Sequence, residues 1–383
     1  MEYKELGKTG KQVSIIGLGC EHLDRKPCCQ VSETIDAALA AGVNILDVFM
    51  PGKEVRENIA NALGSRRNQV MIQGHIGATD VKEQYDISRD MPTVQKYFED
   101  LLRIFGGYID FGMLFFIDSD DDYKNVFETG FADYAARLKQ QGYIGHIGFS
   151  SHNPGTAIKA INTGLPETMM FSINPAFDML PVTEYVFDHF DNGFAPELLR
   201  GVDPQRAELY KLCIQKQVGI TAMKTFGAGK LLSKEHSPFA RPLTVPQCIH
   251  YALSRPSVVS VLPGCQTAVE VEDVMGYFNC DDLQKDYSDV LGVVPNDFRG
   301  SCVYCSHCQP CPSGIDIAAV NKYLDIACLD KENIPPSVRS HYLNLLHRGD
   351  ECIACGNCES RCPFGVPVIE NMAFAEELMA FDN

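Results

Sequence analysis

Two runs of cysteine toward the C-terminal end carry the plainest chemistry in this chain. The first reads Cys302-x2-Cys305-x2-Cys308-x2-Cys311-Pro312 and the second Cys352-x2-Cys355-x2-Cys358-x3-Cys362-Pro363. Together they hold half of the chain's 16 cysteines. Thiolates spaced by two residues can be turned inward by one tight loop of backbone and meet one face of a cubane. In bacterial two-cluster proteins the fourth cysteine, just before proline, ligates the other cluster. The spacing therefore predicts one 4Fe-4S cluster on Cys302, Cys305, Cys308 and Cys362, and a second on Cys352, Cys355, Cys358 and Cys311. The second run has the bacterial spacing outright; the first has two residues, not three, before its last cysteine. Structural zinc is the weaker alternative, because its ligands come as two pairs, often with histidine. A disulfide framework would need an oxidising compartment.

The bulk of the chain must position whatever these sulfurs serve. It has 383 residues, 45% of them hydrophobic and 22% charged, ample for a large core. A net charge of −17 argues against nucleic acid or an anionic membrane as partner. The opening MEYKELGKTG has no apolar stretch of signal type, and no apolar run is long enough to cross a bilayer. A cytoplasmic, reducing and oxygen-poor setting is the expectation, since exposed thiols oxidise readily.

From residue 13 to about 280, short apolar runs alternate with amphipathic stretches. Strands are expected at Val13–Gly17, Val43–Asp47, Gln69–Gln73, Ile109–Leu114, His146–Phe149, Thr168–Ser172, Val218–Met223 and Val258–Leu262. Helices are expected between them, among them Met91–Ile104, Tyr123–Gln141 and Ala268–Tyr277. Eight strand-then-helix units spell an α/β fold of the (β/α)8 TIM barrel type, preferred over a doubly wound open sheet. Residues 3–14 read as a hairpin plugging the barrel bottom, and the long stretch 177–201 as a loop over the active-site face. Helices are expected at Ile317–Leu329 and Pro336–Leu346 between the cysteine runs.

Several segments resemble the aldo-keto reductases. Leu6-Gly7-Lys8-Thr9-Gly10, Val13-Ser14 and Gly17-Leu18-Gly19 are similar to the opening of that family. Ala41-Gly42-Val43-Asn44-Ile45-Leu46-Asp47 resembles its second strand, and Gly145-His146-Ile147-Gly148-Phe149-Ser150 its fifth. Met223-Lys224 with Gly227-Ala228-Gly229 resembles the seventh strand and its loop, and Leu262-Pro263-Gly264 the eighth. With the cysteine runs, the chain looks like the branch that carries a mainly helical, ferredoxin-like iron–sulfur domain. The implied division is a barrel over 1–280, a linker over 281–300 and the two-cluster domain over 301–383.

The resemblance implies carbonyl reduction with NAD(P)H through an Asp, a Tyr, a Lys and a His. Asp47 matches the first. Where the tyrosine belongs the chain reads Phe49-Met50-Pro51-Gly52-Lys53; His75 stands for the lysine and Phe115 for the histidine. Phenylalanine and proline cannot transfer a proton, so ordinary carbonyl reduction does not carry over. The 2′-phosphate grip after the eighth strand is also changed: Gly264-Cys265-Gln266-Thr267 lacks a cation, and Val274 replaces an asparagine. Ser150, Ser151, Asn174, Gly227, Gly229, Gly264 and Gln266 remain as candidate NAD(P) contacts, the glycine loop offering N–H groups to a pyrophosphate.

Barrel chemistry sits at the C-terminal ends of the strands. Asp47, His75 and His22 there could form an acid–base relay, with Lys224 as pair or cofactor ligand, because histidine titrates near neutrality and a carboxylate fixes its tautomer. His146 reads as bonding loop backbone, whereas His152, with Ser151 after the fifth strand, could serve chemistry or only bond backbone. Asp118 reads as part of a solvated N-cap cluster with Asp120, Asp121 and Asp122. Cys20, Cys28 and Cys29 read as ordinary thiols. Phe49, Met50, Phe115, Phe116, Phe171 and Phe177 give the pocket an apolar flavour.

The expected function is an iron–sulfur oxidoreductase acting on a small organic molecule, with a ferredoxin or similar electron-transfer partner. Hydride carries two electrons and each cluster passes one, so a flavin or radical step would have to stand between them. The alternatives are a catalytically vacant barrel serving as an electron-transfer or interaction subunit, and a non-redox lyase or isomerase using His75 and Asp47.

Overall fold

The computed structural model describes residues 1–81, 84–181, 201–239, 241–291 and 298–380. A hairpin opens the chain: β1 (Tyr3–Glu5) pairs antiparallel with β2 (Gln12–Ser14). Eight parallel strands follow in one sheet: β3 (Leu18–Gly19), β4 (Ile45–Val48), β5 (Met71–Ile76), β8 (Ile109–Leu114), β9 (Ile144–Ser151), β10 (Thr168–Ser172), β11 (Gly219–Met223) and β12 (Val258–Val261). Neighbours in the sheet are neighbours in the chain, apart from an inserted antiparallel pair, β6 (Ala78–Val81) and β7 (Gln84–Ile87). Parallel bridges Ile16↔Val261 and Gly19↔Gly264 join the two edges, so the sheet closes into a barrel.

The sequence dictates this at several points. Strands β4, β8 and β10 are short runs buried along their whole length, and β5 is so after its first residue, as parallel strands require. The helices start where polar caps precede proline or close a capping box. Asn153, Asp203 and Asp90 cap helices with proline in their first turn, and Ser119–Asp122 and Thr244–Gln247 form boxes. The helix expected over Tyr123–Gln141 is two helices, Asp120–Phe127 and Phe131–Gln140, because Gly130 at φ 85° breaks it.

The hairpin plugs the barrel as expected. Leu6 and Val13 are fully buried in a cluster with Ile45, Phe111, Met113, Met170, Val259 and Leu262, which fills the interior. Gly7 at φ 59° lets the chain pass so close that a Cβ would sit 2.4 Å from the Gly219 nitrogen. Only glycine fits there.

Beyond the barrel, the chain forms helices Ile317–Ala327, Pro336–Leu343, Asn357–Arg361 and Val368–Met379. This segment is not a free appendage. Val303, Ile317, Val320, Leu324, Tyr342 and Met372 share one buried cluster with Met179, Ile214, Leu231, Cys248 and Tyr251 of the barrel layer. Arg255 Nη2 and the Tyr287 hydroxyl both donate to the Val303 carbonyl, at 2.9 and 2.7 Å. Of the expected linker, residues 292–297 lie outside the described residues, as do residues 182–200 of the stretch expected over the active-site face. That stretch begins with a short helix, Pro175–Met179.

Candidate functional site

The C-terminal ends of the strands open on a cavity of about 670 Å³. At its floor stands a buried pair. β4 presents Asp47 and β5 presents His75, each 2% exposed, with His75 Nε2 2.8 Å from Asp47 Oδ1. The strand carrying His75 runs to Ile76, three residues beyond the expected Gln69–Gln73, so His75 is held by sheet pairing with Met113 and not by a loop. Gln73 Nε2 donates to the same Asp47 oxygen at 3.1 Å, and Thr221 Oγ1 donates to Gln73 Oε1 at 3.0 Å. This chain of hydrogen bonds fixes the carboxylate, and the carboxylate fixes the imidazole tautomer with its proton on Nε2.

The other nitrogen, His75 Nδ1, is buried without a hydrogen-bond partner. Phe49 and Phe115 pack on the ring, at centroid distances of 6.0 and 5.3 Å. A buried nitrogen left unpaired in apolar surroundings costs about 1–3 kcal/mol, which a ligand able to exchange a hydrogen bond would recover. His22, expected in the same relay, lines the same cavity but is exposed, and its ring lies against Gly264, where a Cβ would meet it at 2.5 Å, rather than in the Asp47–His75 hydrogen bond.

Sequence reasoning missed Tyr85. It rides on β7 of the inserted hairpin, lines the cavity, and meets Phe49 at 5.3 Å and Phe115 at 6.4 Å between centroids. Burial first, and the Glu21 carboxylate second, raise its pKa, so the phenol keeps its proton. The strands β6 and β7 are too short and too evenly polar to signal themselves in the sequence ahead of the helix Met91–Ile104.

A second carboxylate–imidazole pair corrects the reading of Asp118 as a solvated cap. Asp118 is 3% exposed; its Oδ2 lies 2.8 Å from His152 Nδ1, and its Oδ1 accepts the His152 N–H at 2.6 Å and the Ser151 hydroxyl at 3.1 Å. Burial alone would raise the Asp118 pKa; the His152 ring and these hydrogen bonds prevail and lower it. The solvated N-cap role falls to Ser119 and Asp122 instead. His146, expected to bond loop backbone, pairs with Glu167 Oε1 at 2.9 Å.

The nucleotide candidates divide. Ser150, Gly229, Gly264 and Gln266 line the cavity, as does Lys224 at φ 58°. Ser151 does not; its hydroxyl is spent on the Ile117 carbonyl and Asp118. Asn174 is fully buried, capping the Pro175–Met179 helix through Phe177 N–H and donating to the Lys224 carbonyl. The glycine loop is no cradle for a pyrophosphate at its glycines: Gly227 N–H donates to Lys224 O at 2.8 Å and Gly229 N–H to Phe226 O at 3.0 Å. Phe49, Phe115 and Phe116 line the cavity, whereas Phe171 and Phe177 are core.

Across the cysteine segment, Cys311, Cys352, Cys355 and Cys358 line one small apolar cavity with Pro310, Pro312, Ile315 and Val368. Cys302 lies near Cys305 and Cys308, and Cys362 lies near the latter two. Burial pushes the Cys305 and Cys308 thiols up to about 12. Free thiolates are therefore penalised there unless something offsets their charge. Among the described residues, no group of three or more His, Cys, Asp or Glu side chains is placed to hold a single metal ion. None of the described helices is long and apolar enough to cross a membrane.

The sequence matches the aldo/keto reductase family over residues 15–244. Among solved structures, aldo-keto reductase AKR11C1 from Bacillus halodurans in its holo form is similar at 19% identity and a TM-score of 0.58, covering 77% of this chain and 96% of that one. An aldo-keto reductase from Pseudomonas aeruginosa is similar at 17% identity and a TM-score of 0.54, covering 72% and 95%. At these identities the likeness to solved structures speaks for the fold. A search of curated proteins found no match.

Proposed function

The chain belongs to the aldo/keto reductase family, and from that premise we propose an oxidoreductase that reduces a small organic carbonyl compound with a nicotinamide nucleotide, using Asp47–His75 in place of the family's tyrosine. One observation carries this reading: a buried imidazole, oriented by a buried carboxylate at 2.8 Å, keeps its second nitrogen unpaired on the floor of a 670 Å³ cavity. The nicotinamide, when bound, supplies the hydride that reaches the carbonyl carbon. His75 Nδ1, protonated from solvent before the substrate enters, would give its proton to the carbonyl oxygen, while Asp47 holds the ring in place through Nε2. The carbonyl becomes an alcohol, and the neutral imidazole takes up a proton from solvent once the product has left. Phe49, Phe115 and Phe116 favour a planar, apolar group beside the carbonyl and exclude water from the dyad. Tyr85 presents a protonated hydroxyl from the mouth.

In the same proposal the cysteine segment holds two 4Fe-4S clusters, one on Cys302, Cys305, Cys308 and Cys362, the other on Cys311, Cys352, Cys355 and Cys358. The single apolar cavity shared by the last four supports the crossed assignment. Such clusters supply one-electron transfer to a partner such as a ferredoxin.

The test is isotopic. Chain purified without oxygen is given nucleotide deuterated at the transferring position and a set of aromatic aldehydes and ketones. Deuterium in the product alcohol is the expected result. Nucleotide binding without transfer to any carbonyl would overturn the reductase reading; turnover without nucleotide would favour a lyase or isomerase.

A further inference from the structure

A second cavity, of about 590 Å³, opens at the barrel bottom, the end opposite the mouth. Barrel catalysis is not built at that end, but the volume is that of a small-molecule pocket. Its walls come from three parts of the chain: the plugging hairpin β1–β2, the helix Val245–Ser254, and the helices Ile317–Ala327 and Pro336–Leu343 of the cysteine segment. Tyr277, Tyr304 and Tyr323 give it flat apolar faces, and Leu346 at its edge is 88% exposed.

The inner wall is cationic. An ammonium has three N–H donors; Lys322 Nζ spends one on the Leu253 carbonyl at 2.8 Å and makes no ion pair among the described residues. His341 packs on the Tyr323 ring at 6.0 Å between centroids and makes no hydrogen bond to a described residue. Burial first, then Lys4 and Arg255, pull Lys322 well below the usual lysine range, against the attraction of Glu2 and Asp316. Burial first, then Lys4 and Lys322, bring His341 down to about 4, so its ring is neutral and offers one N–H. The carboxylates of the lining do not cancel this field. Glu2 is spent on Lys4 at 3.2 Å, Asp316 is exposed and caps the Ala319 N–H at 3.0 Å, and only Glu5 remains, partly buried. An oxyanion between Lys322 and His341 would offset the repulsion between the cations, favour the ammonium form and accept the spare donors.

We propose that this cavity binds an aryl oxyanion, a carboxylate or phosphate on a flat apolar ring, with Lys322 and His341 donating to the oxygens and the tyrosine rings holding the body. The experiment is calorimetric titration of the anaerobically purified full chain with benzoate, phenyl phosphate and inorganic phosphate, with the thermal midpoint as second readout. Benzoate and phenyl phosphate are expected to bind saturably and raise the midpoint, the tighter of the two identifying the anionic group. Inorganic phosphate is expected to bind at least tenfold more weakly than phenyl phosphate. Lys322→Met keeps the stem and removes a charge that burial disfavours. It is expected to weaken binding at least tenfold without lowering the midpoint of the free protein. His341→Phe, which keeps a ring against Tyr323, weakens binding severalfold. His75→Ala, at the other end of the barrel, binds the probes as wild type does. No saturable binding of benzoate or phenyl phosphate by wild type would overturn the proposal. Inorganic phosphate binding as tightly as phenyl phosphate would overturn the aryl body. Affinity unchanged in Lys322→Met, or lost in His75→Ala, would overturn the assignment to this cavity.

Discussion

The barrel mouth and the cysteine segment assemble reactive side chains in opposite ways. In the mouth, each partner comes from a different strand: Asp47 from β4, His75 from β5, Thr221 from β11, Tyr85 from the inserted hairpin. In the cysteine segment, three of four sulfurs around the apolar cavity come from one eleven-residue run, and only Cys311 crosses from the other. A site made by contiguous backbone is written in residue spacing. A site made by sheet register exists only once eight strands have closed.

The comparison can be broken or sharpened by substitution. The largest effect is expected from Cys311→Ser. If the crossed assignment holds, iron and sulfide fall from about eight of each per chain to about four, and the first run keeps its cubane. Adding Cys358→Ser is expected to leave that count at about four, because both residues serve one cluster; a further fall toward zero would show that the two runs are not exchanged as proposed.

Next comes Asp118→Asn. It leaves the buried His152 without its carboxylate and costs about 3 kcal/mol in chemical denaturation, as breaking a buried pair does. The sign with pH follows from the lowered carboxyl. Asp118 titrates below the usual 3.8 in the fold, so its stabilisation is present above that value and is lost as pH falls through the lower folded value. The wild-type advantage over the asparagine variant should therefore shrink only in acid below about pH 4.

Tyr85→Phe removes one hydroxyl from the mouth and keeps the ring against Phe49 and Phe115. About a tenfold drop in kcat/KM with unchanged NADH affinity is expected; an unchanged rate would make Tyr85 a wall and nothing more. The smallest effect belongs to Glu167→Gln. Glu167 is held at about 2 against its burial by His146, Lys139 and the Ile147 N–H. It is partly solvated, so the loss is about 1 kcal/mol, present above pH 4.5 and fading as pH falls toward 2.

The residues show why some of this was legible and some was not. Later barrel strands such as Ile109–Leu114 and Thr168–Ser172 are legible because buried parallel strands are continuous apolar runs, but the first is not: Val13–Gly17 overlaps the hairpin strand Gln12–Ser14, and the barrel strand is Leu18–Gly19, too short to stand out from the apolar run before it. The end of β5 was hidden because its inward residues Gln73 and His75 are polar, which reads as a loop. Asp118 and His152 are 34 positions apart and meet only through the pairing of β8 with β9. Its three acidic neighbours made a solvated cluster the natural reading, whereas the fold turns Asp118 inward and leaves Asp120 and Asp121 outside. Asp47 and His75 were read as partners because both fall at strand ends. His22 shares that position and lines the cavity, but its ring packs against Gly264, which only a residue without a Cβ permits.

The central claim is that the Asp47–His75 dyad moves the proton of a nucleotide-dependent reduction. Its most direct test is the single-turnover rate of NADH oxidation by an aromatic aldehyde in wild type and in His75→Ala, with NADH affinity measured on both. The account predicts a rate at least 100-fold lower in the variant, with NADH affinity unchanged. An equal rate in the two proteins would contradict it.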